Sequence, residues 1–465
     1  MKASSVAVAL LALVLAVLIG SCTDKAPGPV ASLGSISVKS YVSIGNSLTA
    51  GYQSNGLYEA SQIYSYPSLI ARQINASGGN VTFVQPLWSG AGTPMTTNPT
   101  IASRYVIINL VGPVIGPAGE PAGSLENPTY ALPYNNLGIP GAFIYDFLNA
   151  TSATTCYSAL GGQPNALFTA TLRGIGTQFQ QMRMLRPDLV TFWLGNNDVL
   201  GYATSGGTAP LTSAALFGGL YSQAMDSLRA AVGSSAAVVV GNIPDVTSIP
   251  FFRTIPSQGL VLTQAQATAL NAGTGGVFGF VAGVNGFLAM TGTNQVKKLG
   301  PNDYVLLTCP QDSLKNAGWG SLKPIPNQYV LDSVEAANAR AAVTAFNGTI
   351  AALATSHNAV LVDINAVLAS IAANGTTYAG QDLTSDYVIG GVFSLDGVHP
   401  TSKGQGLIAN EFIRMMNLKL GTSLPGVDIG SLPGIPAPLS KYEFAGKPVP
   451  YYPPDALKAM QLQLY

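Results

Sequence analysis

Two short stretches at opposite ends of the chain hold the residue types best suited to chemistry. The first is Tyr41-Val-Ser-Ile-Gly-Asn-Ser-Leu-Thr-Ala-Gly-Tyr52, in which Ser47 follows an apolar run. The second is Phe393-Ser-Leu-Asp-Gly-Val-His-Pro400. The chain has only 2 histidines, and one of them, His399, stands three residues after Asp396. A serine hydroxyl is a poor nucleophile until a base takes its proton, and a third group must hold that base in the right tautomer. Ser47, His399 and Asp396 supply those three types, with acid and base close enough to share a loop. The chemistry they fit is nucleophilic attack on an ester carbonyl. An imidazole base fails once it is protonated, so activity is expected to fall at acid pH.

The elements that must position these residues follow from the pattern around them. Residues 38–44 are β-branched and apolar, a strand leading into Gly45-Asn46-Ser47. Helical spacing follows over 63–74, then a short strand over 81–84. Further strands are expected at 188–194, 236–240 and 359–364, and helices at 172–185, 214–232, 334–354 and 402–416. Strands alternating with helices argue for an α/β fold, a parallel sheet covered on both faces. In such sheets ligands bind beyond the carboxyl ends of the strands. Ser47, Asn197 and Asp245 all lie just past strand ends. Two stretches do not follow the alternation. Residues 88–133 are rich in Gly, Pro, Thr and Asn, and are expected to be a long excursion near the site. Residues 250–330 form a second insertion of apolar pieces with Gly-rich joints.

Composition narrows the function classes. Of the 465 residues 9% are charged, against roughly 25% in ordinary globular proteins. Lys+Arg and Asp+Glu both number 21, and no basic stripe is visible, so nucleic acid is not an expected partner. With one histidine assigned to the serine and no Cys-x-x-Cys pair, no metal site is expected, and no other cofactor. A phosphate-binding Gly-Lys-Ser/Thr loop is absent. Two carboxylates suffice for a glycosidase, so composition alone does not exclude one. The Gly-x-Ser-x-Gly nucleophile elbow of ordinary α/β-hydrolases is also missing, which disfavours that scaffold.

The chain start has its own pattern. Lys2 precedes an apolar run over 6–19, followed by Gly20-Ser21-Cys22. This reads as a secretory signal, with an apolar run shorter than a membrane-spanning helix needs. Export would place Cys156 and Cys309 in an oxidising compartment, where they are the candidates for a disulfide.

Four blocks taken together resemble the SGNH (GDSL-type) hydrolase family. Gly45-Asn-Ser-Leu48 is similar to its nucleophile block, and Asn136-Leu-Gly-Ile-Pro-Gly-Ala142 to its glycine block. Gly195-Asn-Asn-Asp198 is similar to its Gly-x-Asn-Asp block, and Asp396-Gly-Val-His-Pro400 to its Asp-x-x-His-Pro block. Asn46 departs from the family's aspartate. The resemblance implies a three-layer α/β/α fold with a parallel, flavodoxin-like sheet. It implies Ser47 as nucleophile, His399 as base and Asp396 as its orienting acid. It further implies an oxyanion hole from the Ser47 N–H, the Gly141 N–H and the Asn197 side chain, with Gly138 as the other glycine candidate. Asp198 is expected to hold its loop. His357, between helix and strand, and Asp363, at a strand end, are expected to be structural. The Gly20-Ser21-Cys22 stretch resembles the lipobox of bacterial lipoproteins, which implies a lipidated Cys22.

The expected layout is a signal peptide over 1–21, a tether over 22–37, a hydrolase domain over 38–420 carrying both insertions, and a Pro-rich extension over 421–465. The expected function is an exported serine hydrolase of the bacterial cell envelope, anchored to the outer membrane or cell surface through Cys22. Its substrate would be a small-molecule or lipid ester, with lipid or acyl esters favoured. A carbohydrate O-acetyl esterase is the alternative within the class. A non-catalytic surface binding protein on the same scaffold is the alternative outside it.

Overall fold

The computed structural model describes residues 30–94, 104–109, 114–119, 121–292, 295–378 and 380–435. The expected signal peptide, Cys22 and residues 436–465 of the expected Pro-rich extension lie outside the described residues. The central sheet has 5 strands: β1 (Tyr41–Gly45), β2 (Asn136–Gly138), β3 (Leu189–Trp193), β4 (Ala237–Gly241) and β5 (Val360–Val362). Their spatial order is β5-β4-β3-β1-β2 and every neighbouring pair is parallel. That is the 2-1-3-4-5 order of flavodoxin-like sheets. The helices that cover it are α1 (Tyr66–Ala76), α2 (Gln178–Leu185), α3 (Asn197–Thr204), α4 (Ala214–Val232), α5 (Ser333–Ser356), α6 (Ile364–Asn374) and α7 (Ser402–Leu420).

The strands are apolar along their length because both faces are covered. Val42, Ile44, Val190, Phe192 and Val240 alternate into one core, under α2, α4 and α5. Tyr41, Leu189, Trp193, Val239 and Val362 alternate into the other, under α1 and α7. Aromatic stacking closes both layers, with Phe217 on Phe346 at 3.9 Å and Tyr66 on Phe412 at 4.9 Å between ring centres. Caps fix the helix starts. Asp332 and Glu335 form a reciprocal capping box at α5. Thr401 caps α7 through the Gly404 N–H, so α7 begins three residues after His399.

Several elements differ from the sequence expectations. The helix expected over 172–185 is two helices, Ala166–Leu172 and α2. Between them Arg173, Gly174 and Gly176 have positive φ, which ends one helix before the next begins. Residues 81–84 add no strand to the sheet. The Asn135 side chain takes the Val84 N–H at 3.0 Å in place of a ladder partner. The helix α6 was not expected. The insertion over 88–133 carries the hairpin of Tyr105–Asn109 with Val114–Pro117. The insertion over 250–330 is built of short antiparallel pairs around a helix, Gln264–Gly273, with small apolar clusters of its own. Residues 421–435 run along α7, where Asn410 and Asn417 accept the Val427 and Leu424 N–H groups at 2.6 and 2.8 Å.

The expected disulfide is not formed. Cys156 and Cys309 are both free and buried. Cys156 belongs to the large core under the sheet and Cys309 to a cluster inside the second insertion, so folding sends the two thiols to separate places.

Candidate active site

Ser47 opens a one-turn helix, Ser47–Ala50, laid across the ends of β1 and β2. That close approach requires glycine below it. A Cβ on Gly45 would stand 1.9 Å from Thr49 Oγ1, and one on Gly138 2.4 Å from the Ala50 nitrogen. Asn46 caps the turn, its Oδ1 accepting the Leu48 N–H at 3.0 Å, while its Nδ2 is buried without a partner. Ser47 is the first residue of this turn, so no carbonyl within the turn can accept its N–H. Its Oγ lies 2.9 Å from His399 Nε2.

His399 Nδ1 lies 3.0 Å from Asp396 Oδ2. The carboxylate is held by four more donors. Oδ1 accepts the Val398 and His399 N–H groups at 2.9 and 2.8 Å and the Ser394 hydroxyl at 3.2 Å. Oδ2 accepts the Asn55 N–H at 2.9 Å. Burial by itself would push the Asp396 carboxyl up. The facing His399 charge and these hydrogen bonds outweigh burial and hold it below the ordinary carboxylate range. An ionised Asp396 keeps the imidazole proton on Nδ1 and leaves Nε2 free to accept from Ser47. Ser394 is tied back by the Ser54 N–H at 2.8 Å. The Tyr52 ring lies 4.6 Å from the imidazole, tilted by 55°. Segment 52–55 thus braces His399 and Asp396 from the side of the nucleophile.

The opposite flank follows β2. The Ala142 N–H closes a turn onto the Ile139 carbonyl at 3.0 Å. Pro140 is its second residue and Gly141, with φ of 81°, its third. This is a type II turn, whose third position demands the left-handed backbone that glycine tolerates. The closing bond does not use the Gly141 N–H. The Gly138 N–H, by contrast, is taken by Asn136 Oδ1 at 2.9 Å. Asn197, the first residue of α3, donates from Nδ2 to the Ala142 carbonyl at 2.8 Å; its second amide hydrogen is not used in that bond. Asp146 Oδ2 accepts the Phe143 N–H at 2.8 Å and Asp198 Oδ2 the Ile144 N–H at 3.0 Å. Asn197, Asp146 and Asp198 therefore fasten three successive residues after Gly141. Burial pushes both aspartic carboxyls up to about 7, against hydrogen bonds that pull them down.

Beside Ser47 and His399 opens a cavity. Its wall is apolar, drawn from α6 (Val367, Leu368, Ile371), from α7 (Leu407) and from Val246 and Phe393. Asn197 lines it, whereas Gly141 does not. Sequence reasoning missed α6 as this wall, although the apolar run Ile364-Asn-Ala-Val-Leu-Ala-Ser-Ile371 after a strand was a signal. It also missed Asp146, Ser394 and the Asn55 N–H, which carry no motif. Asp245 does not join the site; it caps the turn Val246–Ser248 and accepts from Thr247. His357 ends α5 and pairs with Asp226 at 3.2 Å. Asp363 caps α6 and accepts from Asn242. Among the described residues no three His, Cys, Asp or Glu side chains gather as a metal site would require.

Comparison with known proteins bears on the whole arrangement. A family model described as GDSL-like Lipase/Acylhydrolase matches residues 41–412. No curated protein matches the chain. Among solved structures, the chain is similar to a lipase/acylhydrolase from Enterococcus faecalis, at 12% identity and a TM-score of 0.32, covering 84% of this chain and 100% of that one. It is similar to a family 3 carbohydrate esterase from Clostridium thermocellum, at 11% identity and a TM-score of 0.32, covering 82% and 99%. It is also similar to an extracellular lipase from Streptomyces rimosus, at 14% identity and a TM-score of 0.32, covering 82% and 99%.

Proposed function

The chain belongs to the GDSL-like lipase/acylhydrolase family and is an ester hydrolase, and from that premise we propose that it cleaves esters of medium or long acyl chains through an acyl-enzyme at Ser47. In this scheme Ser47 Oγ attacks the ester carbonyl while its proton passes to His399 Nε2, with Asp396 stabilising the imidazolium. The oxyanion receives the N–H groups of Ser47 and Gly141 and the Asn197 amide; each such donor is typically worth about 2.7–4 kcal/mol in the transition state. His399 then gives its proton to the departing alcohol. Water, deprotonated by His399, attacks the acyl carbonyl, and the carboxylic acid leaves as Ser47 regains its proton.

The single observation that carries the acyl preference is the apolar wall beside Ser47. An acetyl group would touch only part of that wall. Each methylene buried is worth about 0.8 kcal/mol, a factor of about four. The test is a panel of p-nitrophenyl esters of graded chain length, with Ser47→Ala as control. We expect kcat/KM to climb by up to about fourfold per methylene until the cavity is filled, and Ser47→Ala to lose turnover on every ester. A maximum at acetyl overturns the acyl preference. Undiminished turnover in Ser47→Ala overturns the nucleophile.

We also propose export and lipid anchoring at Cys22, motivated by Lys2, the apolar run over 6–19 and Gly20-Ser21-Cys22. No helix among the described residues is long and apolar enough to cross a membrane. Cys22→Ser should move the protein from the membrane fraction to the soluble or unprocessed pool. Unchanged fractionation and processing would reject the anchor.

A further inference from the structure

We propose that the insertion over 250–330 is a docking surface for an anionic lipid bilayer. The first observation is a sheet face that is apolar where it meets water. Val261 and Val284 stand directly opposite each other in the antiparallel pair Leu260–Leu262 with Gly283–Asn285, so their side chains leave the same face. They are 70% and 65% exposed. On the other face of the same pair Leu262 is buried against Leu270 and Phe280. A solvated sheet face is ordinarily polar. Val277, 78% exposed, and Val281 lie in the loop that leads into the second strand, and Leu322, 66% exposed, lies against the end of the helix Gln264–Gly273. No other stretch of the described residues carries so many exposed aliphatic side chains.

The second observation is charge. The whole chain balances at 21 cationic and 21 acidic residues. The insertion carries Arg253, Lys297, Lys298, Lys315 and Lys323 against only Asp303 and Asp312. Lys297 is paired with Asp303 at 2.6 Å. Lys298 sits against the loop that bears Val277 and Val281, donating to the Gly279 carbonyl at 3.1 Å and standing 5.4 Å from the centre of the Phe280 ring. Lys323 directly follows Leu322. Aliphatic side chains with lysines beside them match the headgroup zone of an anionic leaflet, where the stems bury and the ammonium groups reach phosphate.

The third observation is continuity with the active site. The Phe251 N–H donates to the Gly397 carbonyl at 2.9 Å, and the Leu307 N–H to the Phe251 carbonyl at 2.9 Å. Gly397 lies between Asp396 and His399. Docking the insertion would therefore hold the catalytic loop close to the bilayer. The surface does not depend on which ester the site cleaves.

The experiment uses the full chain with Cys22→Ser, in which Cys156 and Cys309 are buried. Val277→Cys and Val284→Cys are each labelled with an environment-sensitive fluorophore. Leu418→Cys, at a position 63% exposed on α7, is the control. Vesicles of phosphatidylcholine, with and without phosphatidylglycerol, are then added. We expect a blue shift and protection from an aqueous quencher at 277 and 284 on phosphatidylglycerol vesicles, reversed by salt, and no change at 418. The N-terminal segment is the same in all three variants, so it adds nothing to the difference. Labels at 277 and 284 that stay as open to quencher as the one at 418 overturn the proposal. An equal shift on neutral vesicles overturns its anionic character.

Discussion

Ser47 is held between two flanks, and buried aspartates organise both, with opposite electrostatic outcomes. On the acid–base flank, Asp396 collects three backbone N–H groups, a hydroxyl and the His399 ring. Its carboxyl is held low although it is buried. On the proposed oxyanion flank, Asp146 receives two backbone N–H groups, from Phe143 and Tyr157, and no cation among the described residues lowers its carboxyl. Asp198 receives the Ile144 N–H and the Thr212 hydroxyl and lies in the field of Asp146. Both are pushed up to about 7. Burial penalises the charged form on each flank alike, so the difference lies in the number of donors and in the imidazole. One flank holds its carboxyl ionised beside the imidazole. The other uses carboxyls as tethers for backbone N–H groups.

The largest break in this comparison is expected from Asp396→Asn. An amide there can donate to His399 Nδ1, which traps the wrong tautomer, and kcat should fall about 10⁴-fold. Steady-state kinetics on a soluble ester would read it, and a fall of less than tenfold would remove Asp396 from its assigned role. Asn197→Ala probes the other flank. It removes a proposed oxyanion donor and releases the Ala142 carbonyl, so kcat should fall about 10²–10³-fold with KM little changed. A rise in KM at unchanged kcat would make Asn197 a substrate-binding residue instead.

The two flanks also differ in how far the sequence revealed them. Ser47, Asp396 and His399 were legible because hydrogen-bonding chemistry restricts each to one residue type at one place, and the blocks around them are short and contiguous. Gly141 was legible only through the resemblance of its glycine block, and the structure supplies the physical reason for the glycine, a type II turn whose third position has φ of 81°. The parallel sheet followed from strands alternating with helices, and its flavodoxin-like order from the family resemblance. What stayed hidden depends on tertiary contacts. Asp146 sits in Tyr145-Asp146-Phe147, a stretch with no signature, and becomes a tether only when the fold buries it next to Phe143 and Tyr157. The apolar run of α6 reads equally well as core, and only the packing of α6 beside α7 turns it into a cavity wall. The break between Leu172 and Gln178 was marked by Gly174 and Gly176, but the helical period runs through them. The 250–330 insertion has no long period at all, so its short paired strands could not be placed. The thiols misled for a related reason, since compartment says whether cysteines can pair but not whether the chain brings them together.

The smallest expected effect tests the electrostatic contrast most directly. A carboxyl whose folded pKa lies near 7, above its ordinary value of about 4, binds its proton more tightly in the folded state. Its contribution to stability is full below about pH 4 and is lost as pH rises through about 7. Asp396 has the opposite sign, because its depressed pKa adds stability above the unfolded value, which disappears as pH falls below about 4. Across the interval from about pH 4 to about pH 7 the oxyanion flank should therefore dominate the slope, and the melting temperature of the wild type should decline. Asp146→Asn with Asp198→Asn keeps an amide oxygen for the Phe143 and Ile144 N–H groups and removes the titration. That double variant should melt at a more nearly constant temperature over the interval, with kcat within a few-fold of wild type. A parallel decline in both proteins would show that these two carboxyls are ionised without penalty, and the two flanks would then be electrostatically alike.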